Sequence, residues 1–153
     1  MLEDDRIKDM IIDSLRFLVN DGRVVVYDFV IMPNHIHVVW QVQKNHEKSK
    51  VQQSFLKYTA QKMKFYLIDT NDESLENYKV RTLDRECHFW ERNSLSINLW
   101  SSPFFMQKLS YIHNNPVASK WKLCEVPEKY QFSSYRFYES GVDEFDFLFH
   151  YNR

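Results

Sequence analysis

Glycine is nearly missing from this 153-residue chain, Gly22 and Gly141 being the two present. Loops that lay several backbone amides against a phosphate need clustered glycines, so a dinucleotide-binding fingerprint and a P-loop are both excluded. Cysteine is as scarce. Cys87 and Cys124 make no Cys-x-x-Cys pair, which argues against structural zinc and an oxidising compartment and leaves two free thiols. No stretch approaches the ~20 apolar residues that cross a bilayer. The opening Met1-Leu2-Glu3-Asp4-Asp5 is acidic where a signal peptide is basic, so a cytoplasmic protein with no membrane partner is expected. Positive charge is not in excess either: 20 Lys+Arg against 21 Asp+Glu give a net charge of -1, which on its own disfavours a nonspecific polyanion binder. Aromatic residues are what the chain has in quantity. With 12 Phe, 9 Tyr and 4 Trp it can bury one core as a single domain over residues 1–153.

Along the chain, Ile7, Ile11, Leu15 and Leu18 recur at helical spacing over residues 5–20, and Asn20-Asp21-Gly22 stops that helix. Residues 23–32 and 35–42 are rich in β-branched and aromatic types on either side of Pro33-Asn34, the pattern of a β-hairpin with a short turn. A second helical pattern covers residues 51–68 through Val51, Phe55, Tyr58, Met63 and Tyr66. Lysines crowd this region while residues 69–91 are acidic and read as an exposed connection, so the near-neutral total hides a basic block beside an acidic one. A strand is expected around Ser94 to Leu99. Ser101-Ser102-Pro103 then offers a cap and a first-turn proline for a helix bearing Phe105, Leu109 and Ile112, which ends before Asn115-Pro116. An aromatic tail runs from Trp121 to Tyr138, and an acidic end follows it.

His35-Ile36-His37 is the sharpest chemical feature. Residues i and i+2 of a strand share a face, so both imidazoles project together while Ile36 and Val38 enter the opposite side. Paired neutral imidazoles are ready metal ligands. A His-x-His pair is nonetheless more often two hydrogen-bonded, part-buried side chains, and spacing alone leaves both readings open. Tyr111 and Asn115, at i and i+4, share one face near the end of the last helix. They offer a phenol and an uncharged carbonyl oxygen, or equally a core tyrosine and a helix cap.

Together, Val30-Ile31-Met32-Pro33-Asn34-His35-Ile36-His37 and Tyr111-Ile112-His113-Asn114-Asn115-Pro116-Val117 resemble the REP-associated tyrosine transposases, members of the HUH (His-hydrophobe-His) single-strand nucleases and transposases. Phe89-Trp90-Glu91-Arg92 and the tail segment Pro127-Glu128-Lys129-Tyr130-Gln131-Phe132-Ser133-Ser134-Tyr135 fit the same family. The resemblance implies an α+β, ferredoxin-like antiparallel sheet with helices packed on one face. It also implies that His35, His37 and Asn115 bind a divalent metal, Mg2+ or Mn2+, and that Tyr111 is the nucleophile. The implied reaction nicks and rejoins single-stranded DNA through a 5'-phosphotyrosine, with hairpin or palindromic repeats as partner and a monomer or homodimer as the acting species. Such a substrate accounts for the basic block, since lysines that track phosphates bind unpaired DNA whatever the net charge. The candidates are Lys57, Lys62, Lys64, Lys108, Lys120 and Lys122.

Family members usually carry a central strand ahead of the first helix, and here that strand is expected to be missing, as in a misplaced start or a truncated copy. Its loss would deprive two neighbouring strands of backbone partners, each unpaired buried group costing about 1–3 kcal/mol. The alternatives to an active enzyme are therefore a DNA-hairpin-binding module without catalysis and a nonfunctional remnant.

Overall fold

The computed structural model describes residues 2–82, 85–91, 94–99 and 101–152, with residues 74, 77–82 and 85–87 described by backbone alone. The architecture is α+β. Helix α1 (Asp5–Asn20) leads into the antiparallel strands β1 (Val24–Ile31) and β2 (Ile36–Val42), followed by α2 (Lys48–Asp69). A short hairpin, β3 (Lys79–Thr82) and β4 (Arg85–Cys87), precedes α3 (Ser102–Asn114) and the small α4 (Tyr135–Ser140).

Local chemistry explains most of the boundaries. The Asp4 carboxylate caps α1 by accepting from the Arg6 N–H, and Gly22 takes up a left-handed φ of 69° just beyond the helix. In the hairpin, the Met32 N–H donates to the His35 carbonyl at 2.8 Å around Pro33-Asn34. Ser101 caps α3 by accepting from the Phe104 N–H at 3.4 Å, with Pro103 in the first turn. The chain then passes at Asn115–Val117 into a single 3-10 turn.

The sheet separates two layers. On one side α1 and α2 bury Ile7, Ile11, Leu15, Leu18, Val51, Phe55, Met63 and Leu67 against Val24, Val26, Phe29 and Ile31 of β1. Ile36, Val38, Trp40 and Val42 of β2 pack into the same cluster. On the other side α3 lies over Val30 and Met32 through Ile112. A β-bulge lets one strand serve both layers. Val26 pairs with Trp40 and Asp28 with Val39, so Tyr27 is the extra residue and the alternation changes phase there. Val24 and Val26 before the bulge, and Phe29 and Ile31 after it, all reach the core.

The outer edge of β1 is covered by the tail. The Ile31 N–H donates to the Phe132 carbonyl at 2.9 Å, the Ser134 N–H to the Phe29 carbonyl at 3.0 Å and the Phe149 N–H to the Val26 carbonyl at 2.9 Å. Tyr130 and Tyr138 add hydroxyl bonds to the Ile31 and Tyr27 carbonyls. Among the described residues, β2 forms a ladder with β1 and no other strand.

Two expectations need correcting. Residues 94–99 form no strand, because no described residue offers them a ladder. Ser94 and Asn98 instead bond to Gln52 and Lys48 at the start of α2. The acidic segment is more than a connection, since it holds a 3-10 helix (Glu73–Tyr78) and the β3–β4 hairpin. Asp84, Arg92 and Trp100 lie outside the described residues, as does the Cys87 side chain. Phe89 is buried, and the Trp90 indole donates to the Thr59 hydroxyl at 2.9 Å, which anchors that stretch to α2. No helix among the described residues is long and apolar enough to cross a membrane.

Phe132 joins the tail to both β1 and α1, its ring lying 4.6 Å beneath the ammonium of the buried Lys8. Phe132→Ala is expected to cost about 3–5 kcal/mol in a urea melt, the range for removing a buried ring.

Candidate active site

His35 and His37 share the face of the hairpin that α3 covers, as the two-residue period requires. Their ring centroids are 4.9 Å apart in an edge-to-face arrangement. Nδ1 of His35 lies 2.6 Å from the Asn34 side-chain oxygen. An amide oxygen only accepts, so that hydrogen sits on Nδ1 and Nε2 keeps its lone pair. Nε2 of His37 is buried without a hydrogen-bond partner among the described residues. Two imidazoles with uncommitted Nε2 atoms suit a divalent ion of the Mn2+ type, and the orphaned nitrogen of His37 is the observation that makes the fit.

Both histidines favour the neutral form that a ligand needs. Burial lowers the pKa of His35, helped by the Lys120 ammonium. Burial also lowers that of His37, helped by His35 and Lys108, while Asp28 opposes the shift. No cluster of three His, Cys, Asp or Glu side chains that could hold a metal occurs among the described residues. Asn115 offers a neutral carbonyl oxygen as a further ligand. Asn115 is buried one turn beyond Tyr111, and its Nδ2 has no hydrogen-bond partner among the described residues.

Tyr111 is brought to the histidines. Its ring lies 5.5 Å from that of His37, edge to face, and the side chain is 58% exposed, open to an incoming polymer. Three other tyrosines are unsuited to nucleophilic work. Burial, aided by Asp5 and Cys124, pushes the Tyr130 phenol up to about 12, and burial together with Asp28 raises that of Tyr138. Tyr66 is committed to the Asp4 carboxylate at 2.8 Å.

The lysines divide between the layers. Lys108 stands 5.9 Å from the centre of the Tyr111 ring, and Lys120 stands 5.2 Å from that of Trp121, whose ring in turn lies 5.5 Å from His35. Lys122 follows, exposed, in a left-handed conformation with φ 46°. Lys57, Lys62 and Lys64 sit on α2, which packs in the layer on the opposite face of the sheet from the histidines.

Sequence reasoning missed Asp28 and Trp121. Asp28 is completely buried at the bulge, where His113 Nε2 approaches its Oδ1 at 2.9 Å and the Ser134 hydroxyl donates to the same oxygen. The signal was there to read: one acidic residue inside an otherwise apolar strand.

Both histidines are expected to titrate below the ordinary 6.5 in an NMR pH series. Lys120→Ala should move the His35 midpoint upward, because it removes a repelling charge. The sign for folding follows: these depressed values favour the fold above the ordinary histidine pKa, and that contribution falls away as pH drops through the folded-state values. Comparison with family models, with curated proteins and with solved structures finds no match to this chain.

Proposed function

We propose that this protein is a metal-dependent tyrosine transposase or endonuclease of the REP-associated type, acting on single-stranded DNA at hairpin repeats. The observation that carries the reading is the exposed Tyr111 phenol set against His37, 5.5 Å between rings, on the face that holds the paired imidazoles. A tyrosine serving only as core packing would not be exposed beside two histidines kept neutral.

His35 and His37, with Asn115 or water completing the shell, would hold a divalent ion, which would supply Lewis-acid polarisation of the scissile phosphate. Lys108 and Lys120 flank the site and attract the phosphate backbone, and Trp121 offers a ring face for a base. The Tyr111 oxygen loses its proton to water and bonds to phosphorus. The 3'-oxygen of the preceding nucleotide leaves and takes a proton from water. One phosphodiester is thereby exchanged for another, leaving a 5'-phosphotyrosine and a free 3'-hydroxyl that can rejoin.

The test is a 3'-labelled library of hairpin oligonucleotides with single-stranded flanks, incubated with Mn2+. The wild-type chain is expected to retain label covalently, and Tyr111→Phe to lose it while binding in a gel shift stays within about threefold, since only the nucleophilic oxygen is removed. Covalent product from Tyr111→Phe overturns the assignment of the nucleophile. Binding by the wild type with no covalent product identifies a hairpin-binding module in place of an enzyme.

A further inference from the structure

Tyr111, Ile112 and His113 are consecutive on α3 and so point about 100° apart around its axis. Ile112 is the line of contact with the sheet, buried against Val30 and Met32. Tyr111 occupies one flank, over His37, and His113 occupies the other, facing Asp28. The apolar contact is a narrow stripe along the helix, continued by the buried Leu109 and by Phe105, whose ring meets Tyr27 edge to face, with Val39, Trp121 and Tyr130 partly buried beside Ile112. Apolar contact has no directional preference, so rolling α3 about Ile112 sacrifices little area while lifting one flank and lowering the other. Directional contacts at His113 are what resist that motion.

Those contacts are concentrated. The Asp28 carboxylate has no solvent exposure, and its Oδ1 lies 2.9 Å from His113 Nε2 and accepts from the Ser134 hydroxyl. Ser134 Oγ accepts from the Phe29 N–H at 3.0 Å and lies 3.4 Å from His113 Nε2. The rings of Tyr135 and Tyr138 stand 5.3 and 5.4 Å from the His113 ring and close the remaining sides. The three residue types are those of a hydrolytic triad, but Ser134 is fully buried with its hydroxyl directed at Asp28, so no substrate reaches it.

We propose that Asp28, His113 and Ser134 are positioning residues: together they fix the roll of α3 and so hold the Tyr111 phenol over the His35/His37 pair. The catalytic significance of this cluster rests on Tyr111 being the nucleophile; its geometric effect does not. A reacting group displaced by about 1 Å forfeits on the order of 100-fold in rate, which is the scale of the effect expected from losing the cluster.

The experiment uses the full chain as wild type, His113→Ala, His113→Gln and Ser134→Ala. Two readouts are taken: the through-space NOE between the Tyr111 and His37 rings without metal or DNA, and the rate of covalent product formation on the 3'-labelled hairpin library. His113→Ala is expected to lose the NOE and about 100-fold in rate, with gel-shift affinity within about threefold. His113→Gln should restore both, because its amide N–H can donate to Asp28. An undiminished NOE and rate in His113→Ala, or a folded His113→Gln no better than His113→Ala, overturns the proposal. Where His113→Ala does not fold, Ser134→Ala decides: about tenfold loss of rate with a weakened NOE supports the cluster, and no change overturns it. A wild type without covalent product defeats the transposase reading alone, since the NOE series still measures what holds Tyr111.

Discussion

A carboxylate with no exposure to water depends on partners inside the protein, and one oxygen of Asp28 has them on elements far apart in the chain, while Oδ2 has no hydrogen-bond partner among the described residues. His113 comes from α3 and Ser134 from the tail, and both converge on one oxygen of β1. The contact is costly to disrupt because removing either partner strands buried polar atoms, a penalty of about 1–3 kcal/mol for each. α3 is thereby tied to β1 and to the tail, two segments already joined by the apolar packing of Phe29 against Phe145 and Phe147. The tail is part of the fold as well: its backbone bonds cover the outer edge of β1, and its Ser134 hydroxyl donates to Asp28 Oδ1.

The two faces of the hairpin divide the labour. One buries the large cluster formed with α1 and α2, which supplies most of the apolar stabilisation. The other buries very little and carries the histidines, Tyr111 and two nearby lysines. Lys108 and Lys120 put positive charge there and discourage protonation of the imidazoles beside them. A net charge of -1 is therefore no guide to this face, because the acidic residues of the 69–91 stretch lie elsewhere in the chain.

Features governed by neighbours in sequence were legible. The stripe of α1, the stop at Gly22, the turn at Pro33-Asn34, the Ser101 cap and the shared face of His35 and His37 all follow from periodicity or turn chemistry within a few residues. Features governed by distant partners were not. Residues 94–99 have strand-like composition, yet a strand exists only where another backbone offers bonds. The β3–β4 hairpin hid in an acidic stretch with poor alternation. Ser133-Ser134 was visible as part of a motif, but its attachment to Asp28 depends on a fold that carries residue 134 back to residue 28. The separation of the α2 lysines from the histidine face likewise depends on which side of the sheet that helix packs.

The bulge at Tyr27 also governs how this strand tolerates changes of length. The core-facing positions are even-numbered before it and odd-numbered after it. Deleting Tyr27 would restore regular pairing and leave every other β1 side chain on its present face, at the cost of the Tyr27 hydroxyl bond to Gln41 and its ring contact with Phe105. Deleting Phe29 instead would bring Val30 into the core position, turn Ile31 toward the histidines and break the spacing between Asp28 and the hairpin turn. A shortened relative of this chain that keeps the site therefore has one place in β1 where the missing residue can fall.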